Sequence, residues 1–185
     1  LSPVVNLVRI DLAESKPQDA VARLERLVAA SPSNPEPSIL LAELQRATGA
    51  PVEAVRSTLA NALKSNPQSV PARVAMARLH LMLREHADAL RIAQALSSAE
   101  PDDAAIATLL GQAQFAAGDQ RQALVSFEKA ARLEPRSPQA LITLADAYRA
   151  ANDIVASVQS LKRALSLQPD LIQAQVRLHG LHLQQ

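Results

Sequence analysis

His179 and His182 stand three residues apart near the end of the chain, the arrangement in this sequence that comes closest to a metal site. Residues i and i+3 share a helix face, so two imidazoles could reach one ion, but a metal needs a further donor and no acidic residue or third ligand follows them. Zero cysteines exclude thiolate zinc sites, disulfides and cysteine nucleophiles. His80 and His86 straddle Arg84 and Glu85 and read as surface residues at a bend. The carboxylates Asp102 and Asp103 directly follow Pro101, where a helix N-terminus favours negative charge, so capping accounts for them better than acid–base catalysis.

The four glycines, Gly49, Gly111, Gly118 and Gly180, belong to no phosphate-cradling loop and to no G-x-S-x-G nucleophile elbow. The serines fall in helical or turn segments without a suitably placed histidine, and read as caps or solvated hydroxyls. The expectation is therefore no catalytic residue, no cofactor, no metal and no enzymatic activity.

These side chains are carried by a repeated element. Pro32, Pro67, Pro101, Pro135 and Pro169 are spaced 35, 34, 34 and 34 residues apart, a structural period. Twelve residues before four of them stands a small residue, Ala20, Ala89, Ala123 or Ser157. Before Pro67 the counterpart is taken as Ala54, thirteen back, which places a one-residue insertion within the Arg56 to Lys64 helix. Nine residues after each proline comes a large apolar side chain, Leu41, Met76, Leu110, Leu144 or Leu178, with Leu7 in the first unit.

Between these markers apolar residues recur at helical spacing, as in Leu124, Phe127 and Ala131 or Val158, Leu161 and Leu165. Gly118-Asp119, Asn152-Asp153 and Gly49-Ala50-Pro51 supply turns. The pattern predicts helices near 3–14, 17–30, 36–48, 51–65, 70–83, 86–98, 104–117, 120–133, 138–151, 154–167 and 172–184. They form five hairpins and one further helix, in repeats 1–34, 35–69, 70–103, 104–137 and 138–171 with a partial sixth at 172–185, one domain over 1–185. A lone hairpin cannot bury its apolar face, whereas stacked hairpins cover one another.

Composition agrees with an all-α fold. Of 185 residues 48% are hydrophobic but only 2% aromatic, with no Trp and one Tyr, so the core must be closely packed Ala, Leu, Val and Ile. Nineteen basic and eighteen acidic residues are interspersed, giving a net charge of +1, which argues against nucleic acid as the partner. No apolar run reaches membrane-spanning length, so this segment is not expected to insert into a bilayer. The opening lacks the features of a signal peptide and begins at Leu1, which reads as an excised segment whose targeting signal lies elsewhere. The absence of cysteine suits the cytosol and the periplasm equally.

A 34-residue helical hairpin ending in Pro, with Leu110-Gly111, Tyr148, Gly118, Ala123 and Phe127, resembles the tetratricopeptide repeat. It departs from that pattern at the early aromatic, where Val4, Ser38, Arg73, Ala107, Leu141 or Gln175 stands. The stretches from Gly111 to Ala150 and from Ser160 to Leu178 are similar to the tetratricopeptide lipoproteins of the bacterial PEP-CTERM/exosortase systems. That resemblance implies a protein-interaction scaffold serving exopolysaccharide production or protein sorting, with a periplasmic or outer-membrane-associated location.

The resemblance to the repeat family implies a right-handed superhelical α-solenoid whose concave groove is lined by the first helix of each pair, at the second, fifth, ninth and twelfth places. The fifth place holds Val5, Ile39, Val74, Thr108, Ile142 and Val176, an aliphatic stripe that would floor the groove or simply pack between repeats. The ninth holds Arg9, Glu43, Arg78, Gln112 and Asp146; the twelfth holds Leu12, Arg46, Leu81, Phe115, Arg149 and Leu183. Arg9, Glu43, Arg46, Arg78, Gln112, Phe115, Asp146 and Arg149 are the candidate partner-binding residues, for a peptide or helix with apolar anchors and charges. The carboxylate clamp of the family's chaperone adaptors projects onto Thr108, Gln112, Thr143, Gln173 and Arg177, one cation in place of three, which disfavours a chaperone adaptor. A regulatory segment of a larger enzyme is the other alternative. Leu178 and Leu181 should lack a covering helix, which predicts self-association through that end.

Overall fold

Helix starts in this protein are marked by residues that replace the acceptors missing for the first backbone amides. The carboxylates of Asp103, Asp119 and Asp153 accept from the amides of Ile106, Gln122 and Ala156 at 2.9, 3.1 and 3.0 Å. Ser137 and Asn34 do the same for Ala140 and Glu36 at 3.3 and 3.0 Å. Pro17, Pro35 and Pro138 open their helices, where a missing N–H costs nothing. Asp103 thus has the capping role expected for the acidic pair.

The computed structural model describes residues 3–14 and 16–182, and side chains from Asn6 to Leu181 apart from Ser15. Among the described residues there are eleven α-helices and no strand: α1 (Pro3–Ala13), α2 (Pro17–Ala30), α3 (Pro35–Ala47), α4 (Val52–Ser65), α5 (Val70–Met82), α6 (His86–Ala99), α7 (Ala104–Ala116), α8 (Gln120–Leu133), α9 (Pro138–Ala150), α10 (Ile154–Leu167) and α11 (Ile172–His182). The described ends lie within one residue of those predicted; the predicted end of the last helix, at 184, lies outside the described residues.

The insertion is not where the proline spacing was taken to put it. Helix α4 has the same 14 residues as α2, α6, α8 and α10, whereas the α3–α4 turn, Thr48 to Pro51, has four residues against three in the later hairpins. Val55, only 4% exposed, therefore takes the twelve-back place, and Ala54 is half-buried. Extra length is accommodated in a solvated turn, because within a helix it would rotate every following side chain by about 100°.

The chain forms two compact units, Leu1–Leu79 and His80–Gln185. In the first, Val8, Ala20, Leu24, Leu41 and Leu44 bring α1, α2 and α3 together, and Val8 rather than the exposed Leu7 is the buried residue of α1. Beside this cluster Arg23 grips the buried Asp11 by two hydrogen bonds of 2.8 and 3.3 Å, which hold the Asp11 carboxyl below the usual carboxylate range.

In the second unit two clusters continue the pattern. Ala123, Phe127, Ala131, Leu144 and Ala147 join α8 to α9, while Leu141, Ile142, Leu161, Ala164, Ala174 and Leu181 join α9, α10 and α11. Small residues allow the close approach: Ala89 and Ala123 are fully buried, and Ser157 adds a hydroxyl that donates to the Ala145 carbonyl at 2.8 Å. Contrary to expectation, Leu181 is 3% exposed and Leu178 packs on the same cluster. The helix turns this pair inward onto α9 and α10, and its exposed apolar residues are instead Ile172 and Val176, at 70% and 65%.

Candidate binding groove

The second unit holds an open pocket of about 580 Å³ where the first helices of successive hairpins face one another. Helix α7 contributes Gln112 and Phe115; α9 contributes Thr143, Asp146, Ala147, Arg149 and Ala150; α11 contributes Arg177, Gly180 and Leu181. Phe127 of α8 and Ser157 and Leu161 of α10 reach it from behind. Four of the eight candidate residues, Gln112, Phe115, Asp146 and Arg149, are thereby brought together. Arg9, Glu43, Arg46 and Arg78 are exposed on α1, α3 and α5 of the first unit and line no part of this pocket.

Of the two roles open to the fifth-place stripe, Ile142 takes the packing one. Ile142 is 1% exposed and packs with Leu161, Ala174 and Leu181, so at this position the fifth place is a repeat-to-repeat contact. Ile39, Val74 and Thr108 are half-buried, Val176 is exposed, and the Val5 side chain and Leu183 lie outside the described residues. Apolar surface in the pocket comes instead from Ala147, Ala150, Leu181 and the aromatic Phe115, which is 44% exposed. Thr143, Asp146, Ala147 and Ala150 share one α9 face at spacings of 3, 4 and 7. That face was readable in the sequence, but the prediction kept only one of its four members.

Electrostatically the pocket is asymmetric. Arg177 Nε donates to both carboxylate oxygens of Asp146, at 3.0 and 3.1 Å, and its Nη1 donates to the Gln173 carbonyl at 3.2 Å. The ninth-place acid is thus engaged by the next repeat. Arg149, by contrast, is exposed and has no side-chain partner among the described residues. The projected carboxylate clamp is not formed: its single cation is Arg177, and Thr108 and Thr143 donate their hydroxyls to Ala104 and Gln139 of their own helices.

Tyr148 of α9 is directed to α8, where burial and a 2.8 Å hydrogen bond to Glu128 push its hydroxyl pKa up to about 12. His80 and His86 are not the surface residues expected. His80 Nδ1 meets Glu85 Oε2 at 2.5 Å, and His86 Nδ1 is buried without a hydrogen-bond partner. His179 is exposed, and the His182 side chain lies outside the described residues. Among the described residues no group of three or more His, Asp or Glu side chains is placed to hold a metal, and no helix is long and apolar enough to cross a membrane.

The family described as "Tetratricopeptide repeat" matches residues 11–57, 55–113 and 114–184. No curated protein matches the chain. Among solved structures, a thermophilic TPR protein of Thermus thermophilus is similar at 19% identity and a TM-score of 0.80, with 97% of each chain covered. MamA from Desulfovibrio magneticus RS-1 is similar at 19% identity and a TM-score of 0.72, covering 91% of this chain and 94% of that one. YrrB, described as a TPR protein with an unusual peptide-binding site, is similar at 15% identity and a TM-score of 0.65, covering 95% and 90%. At these identities the likeness is one of fold.

Proposed function

The chain belongs to the tetratricopeptide repeat family, and from that membership we propose that it is a non-catalytic scaffold binding a peptide segment or helix of a partner protein in the α7–α9–α11 groove. The observation carrying this reading is the gathering of Gln112, Phe115, Asp146 and Arg149 around one pocket of about 580 Å³. Pockets of a few hundred Å³ are the size of specific ligand sites. Residues that form the hairpins recur from repeat to repeat, whereas the ninth and twelfth places, which supply these four, vary along the chain; a surface free of packing constraint is where recognition can be encoded. An apolar floor with charged and amide groups at its edge suits a segment that anchors by side chains and is oriented by polar contacts. YrrB, whose description names a peptide-binding site, shares the fold, which supports a peptide as the kind of ligand.

Arg9, Glu43, Arg46 and Arg78 are proposed as further partner contacts on the first unit. Similarity to the PEP-CTERM/exosortase lipoproteins supports a place in a bacterial exopolysaccharide or protein-sorting system, at the periplasm or outer membrane.

A photo-crosslinking residue at Phe115, compared with one at the outward Val155 of α10, tests the reading in the organism that encodes the chain. Both positions are exposed. Discrete adducts to a partner polypeptide from position 115 and none from 155 are expected. Equal adducts from both positions, or none from 115, would contradict it.

A further inference from the structure

Gly180 is a helical residue with no structural reason to be glycine. Its backbone is outside the left-handed region, and a Cβ built on it would meet no atom within 4 Å. Glycine weakens a helix relative to alanine, so its presence has a local cost that neither turn geometry nor close packing explains. It occupies the ninth place of the last repeat, where the earlier repeats carry Arg9, Glu43, Arg78, Gln112 and Asp146. The consequence of its bareness is an open α11 wall in the pocket.

We propose that this opening is an anchor site for one bulky apolar side chain of a partner polypeptide, and that Arg149 takes a carboxylate lying beside that anchor in the partner sequence. The proposal rests on the groove being the binding surface. Its apolar half follows from the lining, since Phe115, Ala147 and Leu181 line the same pocket as Gly180. Its charged half follows from pairing: the pocket holds Arg149, Arg177 and Asp146, and Arg177 is closed onto Asp146 by bonds of 3.0 and 3.1 Å. Among the described residues one guanidinium of the pocket remains uncompensated, and guanidinium is the group best suited to a carboxylate. A basic partner residue would meet Arg149 with no free acid in the lining to offset it, so the pocket selects by repulsion as well as attraction.

Selection of a phage-displayed random dodecapeptide library on the immobilised full chain provides the test, followed by fluorescence anisotropy of enriched peptides with both termini blocked. A bulky apolar residue adjacent to Asp or Glu should dominate the enriched sequences. Gly180→Leu, whose Cβ enters open space and whose helix propensity exceeds that of glycine, should melt no lower than wild type and should weaken binding at least about tenfold. Arg149→Glu, an exposed change, should weaken it by about tenfold, and replacing the peptide acid by Lys should restore it. Enriched peptides without the acid, or ones that bind Gly180→Leu as well as wild type, would overturn the proposal; loss of their binding in Phe115→Ala would leave the groove reading standing. No enrichment at all would overturn both.

Discussion

The ring of Phe127 on α8 stands where a side chain on Gly111 of α7 would begin: its Cε1, Cδ1 and Cζ lie 2.7, 2.8 and 2.9 Å from the position of a Gly111 Cβ. The glycine is what lets the largest residue of the second helix lie flat on the first, and Phe127 is 6% exposed as a result. The same ring reaches the back of the pocket, so hairpin packing and groove shape are coupled through this contact.

Gly111→Ala should therefore destabilise the protein although alanine is the better helix former. Overpacking costs ~1–3 kcal/mol and the gain in helix propensity is ~1 kcal/mol, leaving a net loss of up to about 2 kcal/mol. The double variant Gly111→Ala, Phe127→Leu should recover part of it, because the smaller side chain yields the space. Urea unfolding of the four chains checks this, and additive losses would show that the two residues do not interact.

The hairpin turns make a separate prediction. Gly49, Arg84, Gly118 and Asn152 all adopt positive φ, of 74°, 60°, 89° and 61°. Glycine and asparagine tolerate this conformation, and an arginine there is strained by ~1 kcal/mol. Arg84→Gly should raise stability by about 0.5–1 kcal/mol, and Gly118→Ala should lower it by about 1 kcal/mol, read as opposite shifts of the melting temperature.

The period, the helix limits and the capping role of Asp103 were legible in the sequence because each is written locally, in a proline spacing, an apolar rhythm or an acid before a helix. Arg84 hid its left-handed turn because arginine has no preference for that conformation and only the period implies it. Ala54 was mistaken for the packing residue because Val55 beside it is also small and apolar, and the period counts length without saying on which side of a helix start the extra residue falls. The sequence left the fifth place open between floor and packing because the burial of Ile142 depends on Ala174 and Leu181, more than thirty residues away. The pocket was only half legible: Gln112, Phe115, Asp146 and Arg149 follow from repeat position, but Arg177 and Gly180 matter through a partner and a space that exist only once α11 is folded against α9.

Tyr148 predicts a pH dependence. Its folded pKa, about 12, lies above the ordinary tyrosine value of 10.0 because of burial and the bond to Glu128. The folded state holds the proton longer than the unfolded chain, so the stabilisation is complete below pH 10 and is lost as the pH rises toward 12. Tyr148→Phe should lower stability at neutral pH by about 1 kcal/mol through the lost hydrogen bond, and should flatten the alkaline decline. Denaturation series at pH 8 to 11 for both chains measure the difference, and parallel declines would show that Tyr148 does not titrate in this way.

The central claim, that recognition resides in the groove of the second unit, is tested most directly by amide chemical-shift mapping of the whole chain during titration with a selected, end-blocked peptide. The largest shifts are predicted at Gln112, Phe115, Arg149 and Gly180, on α7, α9 and α11, and should be absent in Gly180→Leu. Shifts concentrated on the outward faces of α8 and α10, or confined to residues 6–79, would contradict it.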